Sequence, residues 1–203
     1  ADPNPYPNLY GIKAFAAVKL GDTLAAKQAF DLYFKKQKPA KIGPRDYATY
    51  ASLLSQSPGN EAVVIELINK AVALDTLETN KAAYLKWLGQ EFVKQKNYAE
   101  AAKAYGRVIS VKSNFTNVDL FNAGYNFYIV DAYDSSSRYF KLYTEKYPDD
   151  IMGYYMLGNA YSVIDSTSEL GLAIPYFQKT IEIGEADTTR PNVKTRLMVA
   201  YKF

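Results

Sequence analysis

Apolar residues recur along the chain three or four apart, in blocks divided by short polar stretches, which is the period of one face of a helix. The clearest block runs over residues 84–108. It holds Leu85, Leu88 next to Gly89, and Phe92. Past the polar Gln95, Lys96 and Asn97 it resumes with Ala101 and Tyr105. The spacing predicts two amphipathic helices with a turn at 95–97.

The same reading extends in both directions. Residues 1–7 are proline-rich and predict an extended segment. Helices are predicted over about 8–20 and 23–36 with Gly21-Asp22 as the turn, and Lys38-Pro39 as the stop. Gly43-Pro44-Arg45-Asp46 opens the next helix, with Pro44 near its first position. Tyr47, Ala51 and Leu54 share a face there. Residues 61–74 form a helix with Val64, Leu67, Ile68, Ala71 and Val72 inward, and Asn80 is expected to cap the helix that begins at Lys81. After the central block, helices are expected from 117, over 137–147, over 151–163 and over 172–184. Turns fall at 131–136 and 164–171, Pro148-Asp149-Asp150 serves as a turn and helix-start signal, and a last apolar helix spans 192–203.

These helices carry one repeated pattern. A bulky residue is followed by Leu-Gly or Ala-Gly, then an aromatic, and later by a small residue with an aromatic four positions on. Leu85, Leu88, Gly89, Phe92, Ala101 and Tyr105 fit it. So do Leu120, Ala123, Gly124, Phe127, Ser136 and Phe140, and Tyr154, Leu157, Gly158, Tyr161, Ala173 and Phe177. Tyr10, Ala14, Ala17, Ala26 and Phe30 are a weaker copy. Ala48, Ala51, Ser52, Val64 and Ile68 are the weakest. Small residues let two helices approach, while large ones fill the gaps between neighbouring pairs. A single helix pair cannot bury its apolar face, so the pairs must stack.

The pattern resembles the tetratricopeptide repeat (TPR). The resemblance implies an all-α fold, a right-handed α-α superhelix of about five helix pairs and a truncated terminal helix. Residues 1–203 would form a single array, with repeats at 7–40, 45–78, 82–115, 117–150 and 151–187 and the start of a further one at 190–203. It further implies a non-enzymatic scaffold that binds a protein or peptide in a concave groove lined by the first helix of each pair. Carried onto this chain, the groove comprises Lys86, Gln90 and Lys94 as a polar patch. Phe121, Asn122, Tyr125 and Tyr128 form an aromatic patch, joined by Tyr155 and Asn159. Asn8, Phe15, Thr49, Leu53, Met152 and Met156 fall on the same lining. One variant of the family clamps a peptide carboxylate with lysine, asparagine and arginine. Lys86 and Asn122 match it, but Met152 and Met156 stand where a lysine and the arginine belong, so aromatic and amide contacts are expected instead. Tyr125, Tyr128 and Tyr155 suit packing as well as recognition.

Composition narrows the chemistry. The 203 residues include neither histidine nor cysteine, which removes the commonest general base, the commonest metal ligand, a thiol nucleophile and disulfides; no cofactor is expected. A net charge of +3 gives no basic stripe for nucleic acid, and no apolar run is long enough for membrane insertion. Lys94, Lys96, Lys103 and Lys112 spread over several faces and predict a solvated surface. Asn114-Phe115-Thr116 fits a glycosylation acceptor. The chain begins with Ala and ends on apolar Met198, Val199, Ala200, Tyr201 and Phe203, which reads as a fragment. That leaves self-association through an uncapped final helix as one expectation. The alternative function is an accessory or regulatory segment of a larger enzyme or regulator. Tyrosine-rich, cysteine-free arrays resemble exported bacterial repeat proteins, which leans to the periplasm with the cytoplasm as the alternative.

Overall fold

The computed structural model describes residues 6–189 and 192–203. Among these it contains eleven α-helices and no strand, and the chain divides into two compact units, one through Leu88 and one from Gly89 onward. The first unit holds α1 (Pro7–Leu20), α2 (Thr23–Lys36), α3 (Pro44–Leu54), α4 (Glu61–Leu74) and the start of α5 (Glu78–Lys94). The second holds the rest of α5, then α6 (Tyr98–Val111), α7 (Asn117–Ile129), α8 (Tyr133–Lys146), α9 (Ile151–Ile164), α10 (Ile174–Ala186) and α11 (Val193–Ala200). No helix of the described residues is long and apolar enough to cross a membrane. The extended reading of residues 1–7 lies mostly outside the described residues, and Pro7 already belongs to α1.

In the second unit the glycines of the pattern set how closely the helices pack. A Cβ on Gly89 would lie 2.8 Å from the Tyr105 ring, one on Gly124 2.8 Å from Phe140, and one on Gly158 2.8 Å from Phe177. Carbon atoms do not approach so closely, so each aromatic ring occupies space that only glycine leaves open. Leu120, Phe140, Tyr143, Met156 and Leu157 form one buried cluster there. In the first unit the centre is Phe30, fully buried, with Phe15 edge-on at 5.3 Å and Tyr50 stacked at 5.6 Å. Ala14 and Ala26, also fully buried, supply the small positions.

Several local expectations need correction. Asn80 does not cap a helix, because α5 already starts at Glu78. The buried Asp75 organises that entry instead: its carboxylate accepts the Leu77 N–H and the Tyr84 hydroxyl, both at 2.9 Å. The turn expected over 131–136 is shorter, and α8 begins at Tyr133, so Asp134 sits in its first turn. α10 starts two residues late and ends two late, at Ile174 and Ala186. In the preceding loop the buried Asp165 carboxylate collects the N–H groups of Leu170 and Leu172. Lys112 is not a solvated lysine. It pairs at 3.2 Å with Asp119, whose side chain is 1% exposed and whose carboxylate also accepts the Thr116 N–H. The last helix is shorter than expected, yet Phe203 folds back to stack on Phe177 at 4.6 Å.

Candidate functional site

The second unit presents α7 and α9 side by side. On α7, Phe121 and Tyr125 stack at 5.2 Å with 12° between their planes. They are one turn apart, so one helix face holds both rings. Phe121 also meets the buried Phe140 edge-on at 6.2 Å, which fixes the inner ring, while Tyr125 is 41% exposed. Tyr128 is half-buried and packs edge-on to Tyr133 at 5.2 Å. Burial pushes its phenol up, with the neighbouring Tyr155, Asp131 and Tyr125 adding to the effect. Asn122 is half-buried, and its carbonyl accepts the Asn126 amide at 2.7 Å. On α9, Tyr155 and Asn159 are half-buried, and the Arg196 guanidinium of α11 lies 5.9 Å from the Tyr155 ring.

The other expected residues divide. Gln90 and Lys94 are exposed on the end of α5, where Lys94 pairs with Glu91 at 2.5 Å. Lys86 is half-buried in the first unit, with Asn8, Phe15 and Thr49 on the helices of that unit. Leu53 and Met156 are wrongly assigned to a binding face. Both are 6% exposed, since their positions turn into the helix contacts, and Met156 belongs to the core cluster.

A cavity of about 690 Å³ opens beside the stacked pair. Phe121 and Val118 of α7, Tyr143 and Tyr147 near the end of α8, and Met152 of α9 line it. Its rim is polar. Lys146 donates to the Phe115 carbonyl at 2.6 Å and lies 4.1 Å from the Phe115 ring centre. Asp150 caps α9 by accepting the Met152 N–H at 3.0 Å and takes the Tyr143 hydroxyl at 2.5 Å. Burial raises the Tyr143 phenol, and the Asp150 carboxylate raises it further, so the hydroxyl keeps its proton. Arg196 closes the cavity from α11.

Sequence reasoning missed Val118, Tyr147, Lys146 and Arg196. The first three flank signals that read as turn or helix start, and the lining rule assigns second helices such as α8 to the outside. Nothing local marks Arg196. The arrangement suits uptake of an apolar side chain with hydroxyl and charged groups at its edge.

No protein-family model matches the sequence, and no curated protein matches it. Solved structures do match in fold. The C-terminal part of a TPR repeat-containing protein from Cytophaga hutchinsonii is 22% identical with a TM-score of 0.62, covering 98% of this chain and 74% of that one. A MamA protein is 19% identical with a TM-score of 0.53, covering 91% and 95%. The apo form of RapI is 12% identical with a TM-score of 0.53, covering 93% of this chain and 56% of that one. Sequential helix packing, glycines that admit an aromatic from the next helix, and these neighbours together show that the chain has the fold of the tetratricopeptide-repeat proteins.

Proposed function

We propose that this chain is a non-enzymatic scaffold that binds a segment of another protein on the α7–α9 face of its second unit. The observation that carries this reading is the exposed Tyr125 stacked on Phe121 beside a cavity of about 690 Å³. Stacked aromatics offer large apolar area at low entropy cost, and the adjoining hollow accepts a side chain that would otherwise stay in water. Asn122 and Asn159 stand on the same two helices and supply amide groups for a peptide backbone. The lack of histidine and cysteine in the sequence supports a binding role over a catalytic one. α7 falls within the expected repeat 117–150 and α9 within 151–187.

Selection of binders from a displayed random-peptide library, followed by calorimetry, tests the proposal. Tyr125→Ala is expected to weaken the selected peptides about tenfold, the loss of one aromatic anchor. Helicity should stay unchanged, because the Tyr125 ring is partly in solvent. If a folded sample yields no micromolar binder, or if all binders ignore Tyr125→Ala, this site is wrong.

A further inference from the structure

The first unit carries an exposed arginine between two hollows. Arg45, in the first turn of α3, lines a cavity of about 440 Å³ with Ile12 and Phe15 of α1, whose wall also includes Asn8, Tyr33 and Asp46. It also lines one of about 220 Å³ with Tyr84 and Trp87 of α5. Its guanidinium sits over the Phe15 ring, 5.0 Å from the ring centre, a cation–π contact that helps hold it in place. Among the described residues it forms no ion pair.

Two acids of the same unit, Asp46 and Asp75, are already engaged. Asp46 accepts the Gly43 N–H at 2.8 Å and the Tyr33 hydroxyl at 3.2 Å. Asp75 accepts the Leu77 N–H and the Tyr84 hydroxyl. Arg45 is nonetheless close enough to Tyr84 to oppose the upward push that burial and Asp75 exert on its phenol. The positive charge therefore reaches into the α5-side hollow as well as standing over Phe15.

We propose that Arg45 anchors a docking site for an extended segment of a partner protein carrying an internal Asp or Glu between two apolar side chains. Charge selects the carboxylate, and the guanidinium fork can meet both of its oxygens. The two hollows make the acid internal rather than terminal. A chain end would fill one hollow, whereas a segment crossing Arg45 places an apolar side chain in each: one against Phe15 and Ile12, the other against Trp87 and Tyr84. The site is separate from the α7–α9 face. It shares with the proposed function only the premise that first helices bind protein segments.

A peptide array tests this with the full chain. Blocked-end peptides carry Asp, Glu, Asn or Gln at one position, with apolar residues randomised on both sides; a companion set has a free C-terminus and no internal acid. Wild-type protein is expected to retain the acidic pools about tenfold more than the amide pools, the value of one charge-assisted hydrogen-bonded pair. Arg45→Gln should equalise the pools. Arg45→Lys, which keeps the charge and loses the fork, should retain part of the preference. Circular dichroism confirms that both variants fold. Equal retention of acidic and amide pools overturns the proposal, as does a preference that survives Arg45→Gln, retention of the free C-terminus set alone, or no retention of any acidic pool. Tyr125→Ala, run on the same array, reports on the second unit. Binding lost there and unaffected by Arg45→Gln belongs to the α7–α9 face.

Discussion

At the residue scale, two buried positions on facing helices have opposite tolerance. Gly124 has no room for a methyl group, since its Cβ would stand 2.8 Å from the Phe140 ring, and Phe140 is itself fully buried. Gly124→Ala should cost about 1–3 kcal/mol in urea denaturation, the usual price of overpacking, despite alanine's better helix propensity. Ser136 on α8 is fully buried with a hydroxyl that has no hydrogen-bond partner among the described residues. Ser136→Ala should leave stability unchanged or raise it by about 1 kcal/mol, because it removes an unpaired polar group without leaving a large void. Asp75 and Tyr84 link stability to pH. Burial alone would raise the Asp75 carboxyl, but bonds from Leu77, Tyr84, Asn80 and Thr76 outweigh it and hold the pKa below the ordinary carboxylate value. Its contribution is therefore present above about pH 4 and is lost as pH falls through the depressed value. Burial, then the bond to Asp75, pushes the Tyr84 phenol up from 10.0 to about 12. That contribution is complete below pH 10 and disappears as pH rises toward 12. Urea midpoints measured across pH should show both limbs, and Tyr84→Phe should make the alkaline one shallower, with Tyr128 and Tyr143 among the raised phenols that sustain the rest.

At the element scale, three of the turns that join paired helices share one closure. Gly21, Lys96 and Asp131 adopt φ values of 76°, 58° and 59°. The following N–H then reaches back five residues: Asp22 to Ala17, Asn97 to Phe92 and Ala132 to Phe127. This is the left-handed helix ending that satisfies the last free carbonyls. Glycine adopts it freely, but lysine and aspartate do so at a cost. Asp131 recovers some of that through the Tyr133 hydroxyl, which it accepts at 2.6 Å. Lys96 is exposed and has no such contact, so Lys96→Gly should raise the thermal midpoint by an amount equivalent to about 1 kcal/mol. Unchanged or lower stability would mean that the gain in unfolded-chain freedom cancels the relief. The bounds of α2 and α4 were legible in the sequence because Asp22, Lys38-Pro39 and the 57–60 turn punctuate them. The start of α8 was not. Ala132 caps it without a side-chain bond, so no residue type there announces a helix start.

At the scale of the whole molecule, coverage varies from helix to helix. In the second unit α9 buries six residues, among them Met156, Leu157 and Gly158, whereas α11 buries only Val193 and Ala200 and leaves Met198 64% exposed. Native-state hydrogen exchange should therefore show α11 amides opening at a much smaller free energy than those of α9. Equal protection would mean that another surface covers α11. The sequence by itself determined the helical class, the pairing of helices and the small positions where paired helices approach. Those follow from local periodicity and from a pattern repeated at near-constant spacing, and a resemblance carried by several copies is hard to produce by chance. The sequence assigned the large residues to the gaps between pairs, whereas Tyr105, Phe140 and Phe177 lie over Gly89, Gly124 and Gly158 within a pair. It also placed Phe121 and Tyr125 together, since residues one turn apart must share a face. Tertiary structure alone decided which candidate side chains are buried, as with Leu53 and Met156. It decided that Lys112 turns inward to Asp119. It brought Lys146, Tyr147 and Arg196 to one cavity, and set Arg45 between Phe15 and Tyr84. The Lys112–Asp119 pair closes one short loop, whose path helical periodicity does not record; the others depend on how one helix is rotated against its neighbours, and helical periodicity carries no record of that angle either.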